Sequence, residues 1–324
     1  MNILFITATR IGDAVLSSGM LAHLVDTCPG ARITVACGAP AAPLFEAVPG
    51  LERLIVLDKK PLHAHWALLW LAGIGRRWDT VVDLRGSALG YFLIAKSRVV
   101  MKYRNNELHR VVELAHMLDL DPPPAPRLWL PARARAEAAA LVPDNGPVLA
   151  IGPTANWGGK QWPADRFAEL ALRVTAADGI LPGARVAVLG AENERPLAAP
   201  VTEAVPPGFR IDLVGQSLSV AAACLGRCSL FVGNDSGLMH IAAATGIPTL
   251  GLFGPSPEWR YGPWGANSAV VRTPESYEEL VTAPDFDHRS QKSLMGGLSV
   301  DAAYAALESL YADVKNMRHD EKAR

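Results

Sequence analysis

Three loops of this 324-residue chain gather side chains suited to binding phosphate and moving a proton. The first, Thr7-Ala8-Thr9-Arg10-Ile11-Gly12-Asp13, lies between a strand-like run and a helix-like one. In doubly wound sheets ligands lie outside the carboxyl ends of the strands, so a loop placed here faces the expected crevice. Gly12 lets a ligand approach the backbone, and Asp13 offers a carboxylate from the helix start. Read alone, Asp13 is more simply an N-cap, a role worth about 1 kcal/mol. The spacing does not follow G-x-G-x-x-G, which argues against dinucleotide binding.

The second loop, Gly152-Pro153-Thr154-Ala155-Asn156-Trp157-Gly158-Gly159-Lys160-Gln161-Trp162-Pro163, also follows a strand-like run. It carries a hydroxyl, backbone donors and one lysine, a set able to neutralise a phosphate without a metal. A solvated loop with a surface lysine is the plainer alternative, and the flanking tryptophans weigh against it. The third, Gly233-Asn234-Asp235-Ser236-Gly237-Leu238-Met239-His240, passes from strand to turn to helix. Free amides at Ser236, Gly237 and Leu238 make an anion site at a helix N-terminus, with room for a diphosphate. His240, one turn in, points either to that site or into packing among alanines.

These loops need rigid elements to hold them. Strand-like runs at 3–7, 32–36, 54–56 and 80–84 alternate with helix-like runs at 13–25 and 65–73. A second series has strands at 148–152, 185–189, 211–214, 230–232 and 249–253, with helices at 164–177, 219–225 and 236–245. Continuous apolar strands in a βαβα rhythm predict parallel sheets covered by helices on both faces, hence two Rossmann-like halves. Between them, Asp121-Pro122-Pro123-Pro124-Ala125-Pro126 must be extended and cannot lie in a central strand. The boundary is expected near 131–147, after which a helix at 300–314 leads to a charged tail, 315–324, whose end should fray.

Composition agrees with two packed domains. Half the residues are apolar, 19% are charged, and 31 basic against 32 acidic side chains leave a net charge of −1. That excludes a disordered chain and a nucleic-acid-coating protein. Cys28, Cys37, Cys224 and Cys228 are too few for a disulfide scaffold and lack zinc spacing, so buried free thiols in a reducing compartment are expected. The start, Met1-Asn2-Ile3-Leu4-Phe5-Ile6-Thr7, has no basic n-region, which reads as a cytoplasmic protein. No apolar run approaches the roughly 20 residues of a membrane span.

Weaker features have plain readings beside functional ones. Lys96, Arg98, Lys102, Arg104 and Arg110 form a basic run, either a solvated face or a surface for an anionic glycolipid or membrane leaflet. The apolar run 65–74 has no single stripe, so a core helix is preferred to an interfacial one. His63 with His65, and Asp285-Phe286-Asp287-His288, lack a completing ligand set, so no metal is expected. Glu192 and Glu194 sit where a ribose could be bonded, although surface carboxylates are the default.

The combination of Gly12-Asp13, Asp83-Leu84-Arg85-Gly86, Thr154 with Lys160-Gln161-Trp162-Pro163, and Gly233-Asn234-Asp235-Ser236-Gly237 with His240-Ile241-Ala242-Ala243-Ala244 and Leu252-Phe253-Gly254-Pro255 resembles glycosyltransferase family 9. These are the ADP-heptose:lipopolysaccharide heptosyltransferases and their relatives, and the likeness covers about residues 1–265. The resemblance implies a GT-B fold, two Rossmann-like domains with parallel sheets facing a central cleft. It divides the chain into an acceptor-binding domain at 1–140, a donor-binding domain at 141–300, and a terminal helix and tail at 301–324. It implies an inverting, metal-independent transferase with no cofactor, a nucleotide-sugar donor, ADP-linked, and an anionic glycolipid or oligosaccharide acceptor met at the cytoplasmic face of the inner membrane.

Residue by residue, Asp13 matches the family's proposed general base. Thr154 and Lys160 match donor phosphate contacts, and Asp235, Ser236, Gly237 and Leu238 match the diphosphate-binding helix start. His240 and Gly215 fall on the donor side, and Arg10, Gly12, Lys102 and Arg104 on the acceptor side. The chain departs from the family at Ile151-Gly152-Pro153-Thr154, where a His-Pro-Gly-Ser-like opening is common, and at Thr9-Arg10-Ile11, where Ser-Ser-Leu is usual. Two rivals stand beside transfer: a nucleotide-sugar epimerase of the same fold, and a non-catalytic nucleotide-sugar-binding protein.

Overall fold

The computed structural model describes residues 1–57, 64–102, 104–284, 286–287 and 289–323, and only the backbone of 64–66, 68, 88 and 318–323. His63, Asp285 and His288, the side chain of His65, and Tyr103 in the basic run therefore lie outside the described residues. Two compact units divide the chain, Met1–Pro131 and Ala132–Arg324.

In the first unit β1 (Asn2–Ile6), α1 (Ile11–Thr27), β2 (Arg32–Cys37), β3 (Leu51–Val56), α2 (Ala64–Gly73), β4 (Trp78–Asp83), β5 (Ala95–Val100) and α3 (Arg110–Ala115) follow one another. The strands form one sheet in the order β3-β2-β1-β4-β5, and every pairing is parallel. The chain builds leftward from β1 to β3, then crosses to place β4 on the other side of β1. That reversal opens a crevice at the carboxyl ends of β1 and β4.

The second unit contains α4 (Ala132–Leu141), β6 (Val148–Gly152), α5 (Ala164–Thr175), β7 (Arg185–Gly190), α6 (Arg195–Ala204), β8 (Arg210–Val214), α7 (Leu218–Leu225) and β9 (Leu230–Asn234). After these come α8 (Gly237–Ala244), β10 (Thr249–Phe253), α9 (Glu258–Tyr261), β11 (Ser268–Arg272), α10 (Tyr277–Thr282) and α11 (Val300–Ala323). Its parallel sheet runs β11-β10-β9-β6-β7-β8, so the order reverses between β6 and β9. Strands β6, β9 and β10 are buried along their whole length, the mark of a parallel sheet covered on both faces.

Several expectations need correction. The last helix does not end at 314: α11 continues through the charged tail to Ala323, and Val300, Ala303, Leu307, Leu310 and Val314 anchor it in the core of the second unit. Strands β5 and β11 and helices α3, α6, α9 and α10 escape the sequence reading. Both strands lie at sheet edges and are half-exposed, so neither shows a continuous apolar run. Helix α6 carries Pro196 in its first turn and Pro200 inside it, a pattern that reads as loop.

The proline-rich segment is free of strand and lies along α1, where a Cβ at Gly19 would overlap the carbonyl oxygen of Pro124. The Arg127 amide donates to the Ser18 hydroxyl at 2.9 Å. All four cysteines are free, but Cys28 is partly exposed. Burial pushes the Cys37 and Cys228 thiols up to about 12 and Cys224 to about 11, so these three are unreactive near neutral pH.

Candidate functional site

Both reversal points carry the residues singled out from sequence. In the first unit the loop after β1 is rigidly held: the Thr7 amide donates to the Ala36 carbonyl, and the hydroxyls of Thr7 and Ser17 lie 2.6 Å apart. Arg10 occupies the N-cap position in extended conformation, which excludes Asp13 from that role. Asp13 stands two residues inside the helix, in its first turn, and among the described residues its carboxylate has no hydrogen-bond or ion-pair partner. A carboxylate here interacts favourably with the helix dipole while its oxygens stay available to a ligand.

Asp83 ends β4 on the other side of the same crevice, fully buried. Its carboxylate accepts from the Arg85 amide at 3.0 Å and the Ser87 hydroxyl at 2.5 Å, and burial pushes its pKa above the ordinary carboxylate range. Arg85, partly buried beside it, is pulled down by desolvation. Gly86 turns the chain with φ +65°, where a Cβ would overlap the Met101 carbonyl. The loops after β1, β4 and β5 thus meet at one edge. Neighbouring strands lie about 4.8 Å apart, which puts the end of β5 about 10 Å from the end of β1.

The basic run divides by role. Lys96 pairs with Asp79 at 2.6 Å. Arg98 donates to the carbonyls of Gly90, Leu93 and Ala95, and so shapes the turn before its own strand. Arg110 is buried against Glu113, which also accepts from the Asn105 amide at 2.6 Å. That pair pins the loop which displays Lys102 and Arg104. Those two cations are exposed and have no acidic partner among the described residues.

In the second unit the loop after β6 and the turn after β9 face each other across the reversal point. Lys160 Nζ lies 2.5 Å from Asp235 Oδ2, with side chains 23% and 7% exposed. Asn234, wholly buried at the end of β9, clamps the loop from both sides. Its Oδ1 accepts from the Trp162 amide at 3.0 Å, and its Nδ2 donates to the Pro153 carbonyl at 2.8 Å. The segment 290–298 backs the same loop: Ser293 Oγ donates to the Gln161 carbonyl, and the Trp157 and Trp162 indoles donate to the carbonyls of Ser290 and Leu298.

Helix α8 opens at Gly237 with Ser236 as an extended N-cap. The Ser236 hydroxyl makes no capping bond, and its oxygen is buried with no hydrogen-bond partner among the described residues. The first amides of a helix, here from Gly237 and Leu238, lack intrahelical acceptors. A lysine ammonium, an orphaned hydroxyl and free amides therefore converge where an anion would be stabilised. His240, one turn further on, is buried.

Thr154 is buried and donates from Oγ1 to Glu194 Oε2 at 2.8 Å, while the Ala191 amide donates to the same oxygen at 2.9 Å. Glu194 is therefore no idle surface carboxylate. Glu192 pairs with Arg195, which also reaches Asp212. Gly215 follows β8 with φ +86°, and a Cβ there would overlap the Glu192 carboxylate. It lies three strand spacings from β9, about 14 Å across the carboxyl edge, a run suited to an extended nucleotide.

Asn234, Asp83 and Arg85 stand in the quoted motifs without a role of their own, and Glu194 reads from sequence only as a surface carboxylate or a ribose contact. A wholly apolar strand ending in Asn is the local signal that points to Asn234; Asp83 and Arg85 are joined by contacts within residues 83–87, and the tie from Glu194 to Thr154 spans 40 positions. Among the described residues no three His, Cys, Asp or Glu side chains come together as a metal site.

Comparison with known proteins places this architecture. The model of the family described as Glycosyltransferase family 9 (heptosyltransferase) matches residues 67–288. The lipooligosaccharide heptosyltransferase 2 of Haemophilus influenzae is 26% identical over 354 residues, spanning 96% of this chain and 100% of the relative. Among solved structures, a glycosyl transferase of family 9 from Veillonella parvula superposes with TM-score 0.77 at 22% identity, covering 96% of this chain and 97% of that one. The E. coli ADP-heptose lps heptosyltransferase II superposes with TM-score 0.74 at 21% identity, covering 97% and 100%.

Proposed function

The chain belongs to glycosyltransferase family 9, and from that premise we propose that it transfers a heptose, with inversion, from an ADP-linked donor to a lipopolysaccharide-core acceptor. The second unit holds the donor and the first the acceptor. The observation that carries this reading is the anion pocket at the start of α8, where Lys160, the orphaned Ser236 hydroxyl and the free helix amides converge.

Inversion requires an acceptor hydroxyl to attack the anomeric carbon opposite the departing diphosphate. As the new carbon–oxygen bond forms, the hydroxyl proton passes to the Asp13 carboxylate. The bond to the diphosphate breaks with its electron pair, and the added negative charge falls on Lys160 and the amides of Gly237 and Leu238. No metal is called upon. Asp235 holds the Lys160 ammonium in place, Thr154 and Glu194 shape the pocket wall, Gly215 borders the nucleoside, and His240 supports the first turn of α8 from within. Arg10 and Gly12 flank the acceptor hydroxyl. The acceptor is an anionic glycolipid, so transfer takes place at the cytoplasmic face of the inner membrane.

Thermal stabilisation by a panel of ADP, UDP and GDP and their sugars tests the donor. A ligand present at a hundred times its Kd adds about 2.7 kcal/mol to apparent stability, about 5–10 °C for a domain of this size. ADP and ADP-heptose should give that shift, and mass spectrometry should find heptose on a lipopolysaccharide-core acceptor. A shift with UDP or GDP instead, or isomerised sugar from donor incubated alone, would overturn the reading.

Lys102 and Arg104 supply the acceptor-side prediction. Reversing both to Glu should raise the acceptor KM by tenfold or more and leave the donor Kd unchanged, because rim charges act on anionic partners across solvent and are screened by salt. Acceptor kinetics identical to wild type at low ionic strength would remove the pair from the acceptor site.

A further inference from the structure

Helix α2 contains no charged residue, and its buried side rests on the sheet through Leu69. Its opposite side is not polar. Ala67, Leu71 and Ile74, spaced i, i+4 and i+7, are exposed together. The segment after β4 widens this surface. The Trp70 indole donates to the Phe92 carbonyl at 3.4 Å, and Leu93 packs against Gly73, which brings exposed Tyr91, Phe92 (71%) and Ile94 (65%) alongside the helix. A cavity of about 560 Å³, walled by Ala67, Trp70, Leu89 and Phe92 and reached by Arg85 and Ser87, adjoins it. This outward apolar side corrects the expectation of a helix buried all round. Large apolar patches on a soluble surface mark interaction sites.

The charge around the patch identifies what it meets. Residues 64–104 carry seven basic side chains and two acidic ones, in a chain whose net charge is −1. Arg76 and Arg77 lie three and four residues past the end of α2, Lys96 lies two residues beyond Ile94, and Arg53 donates to the Ala72 carbonyl at the end of α2. Glu52 pairs with Arg32 and Arg76, and Asp79 with Lys96, so the unpaired positive charge of the rim comes from Arg53 and Arg77, which have no acidic partner among the described residues. An apolar face with aromatic rings and a basic rim matches the headgroup boundary of an anionic leaflet, where rings and aliphatic stems enter the acyl region and cations stay at the phosphates. A second copy of the chain would bring the same positive face against itself in a two-fold dimer, which like charges oppose.

We propose that the face formed by α2 and residues 89–94 docks the first unit on a bilayer surface containing anionic phospholipid. This deepens the glycolipid-acceptor reading and rests on it only for biological purpose, since the test measures lipid binding without transfer. The full chain is sedimented with vesicles of phosphatidylcholine, with and without phosphatidylglycerol. Wild type should sediment with the phosphatidylglycerol vesicles and remain in solution with phosphatidylcholine alone.

Leu71→Ser combined with Ile94→Ser should weaken that binding by about tenfold or more, from the apolar area withheld from the bilayer. Arg77→Glu should weaken it by about fivefold or more, with the difference shrinking at high salt. These side chains are exposed, so the melting temperature should hold, and transfer onto a lipid-free acceptor oligosaccharide should persist in each variant. Wild type that ignores phosphatidylglycerol vesicles would overturn the proposal. So would variants that bind like wild type, or a wild-type dimer that the Leu71/Ile94 variant dissolves while no vesicle binding is seen.

Discussion

Asp13→Asn is expected to leave donor binding intact and to lower kcat by about 10²–10⁴-fold, the range a positioned general base supplies. Asn keeps the size and shape of the side chain and removes its ability to take a proton. Asp13 makes no hydrogen bond or ion pair among the described residues, so the substitution disturbs no structural contact. Its one structural effect is loss of a negative charge from the first turn of α1, a change of about 0.3–1 kcal/mol that leaves the fold in place. Calorimetric titration with ADP and steady-state kinetics at saturating donor separate the two properties. Turnover near the wild-type value would remove Asp13 from the reaction and leave the anion pocket of the second unit unaffected.

Lys160→Ala should do more damage, because it removes a cation and exposes an anion in the same pocket. The lost stabilisation of the departing diphosphate corresponds to about 10²–10³-fold in kcat, by analogy with removal of one preorganised oxyanion donor. Asp235, 7% exposed, is then left without its partner at 2.5 Å. Breaking such a pair from one side costs about 3–5 kcal/mol when both groups are fully buried, and less here because Lys160 is 23% exposed. The unpaired carboxylate also repels phosphate, so ADP affinity should fall along with kcat.

The double variant Lys160→Ala/Asp235→Asn discriminates between these effects. It should recover melting temperature and part of the ADP affinity but not kcat, giving a coupling between the two positions that independent sites lack. Additive losses in stability and in ADP affinity would mean that the pair is not the element that holds the pocket.

Much of the chain's organisation can be read from residue order. Strands such as β6, β9 and β10 are runs of four or five apolar residues because both their faces are covered, and covered strands need no partner information to be recognised. The edge strands β5 and β11 escape notice for the converse reason: one side of each faces solvent, and sequences such as Ala95-Lys96-Ser97-Arg98 read as surface loop. Helix starts were legible in kind but not in detail. The first loop marks the beginning of α1, yet which residue caps it was settled only by the backbone, with Arg10 at the cap and Asp13 left with its carboxylate available.

Residue types in sequence determined the two parallel-sheet units, the loops at the carboxyl ends of their strands, and the presence of Asp13, Lys160 and Ser236 in those loops. Each of these follows from local pattern, since burial periodicity and turn chemistry act over a few residues. Tertiary structure alone decided which charges are occupied and which are available. Lys160 meets Asp235 across 75 positions, and Asn234 holds the two ends of one loop, 72 and 81 positions away. The basic run likewise separates into Lys96, Arg98 and Arg110, consumed by their neighbours, and Lys102 and Arg104, left exposed. Pairing energies depend on distances of a few ångströms and on burial, neither of which is encoded by spacing along the chain.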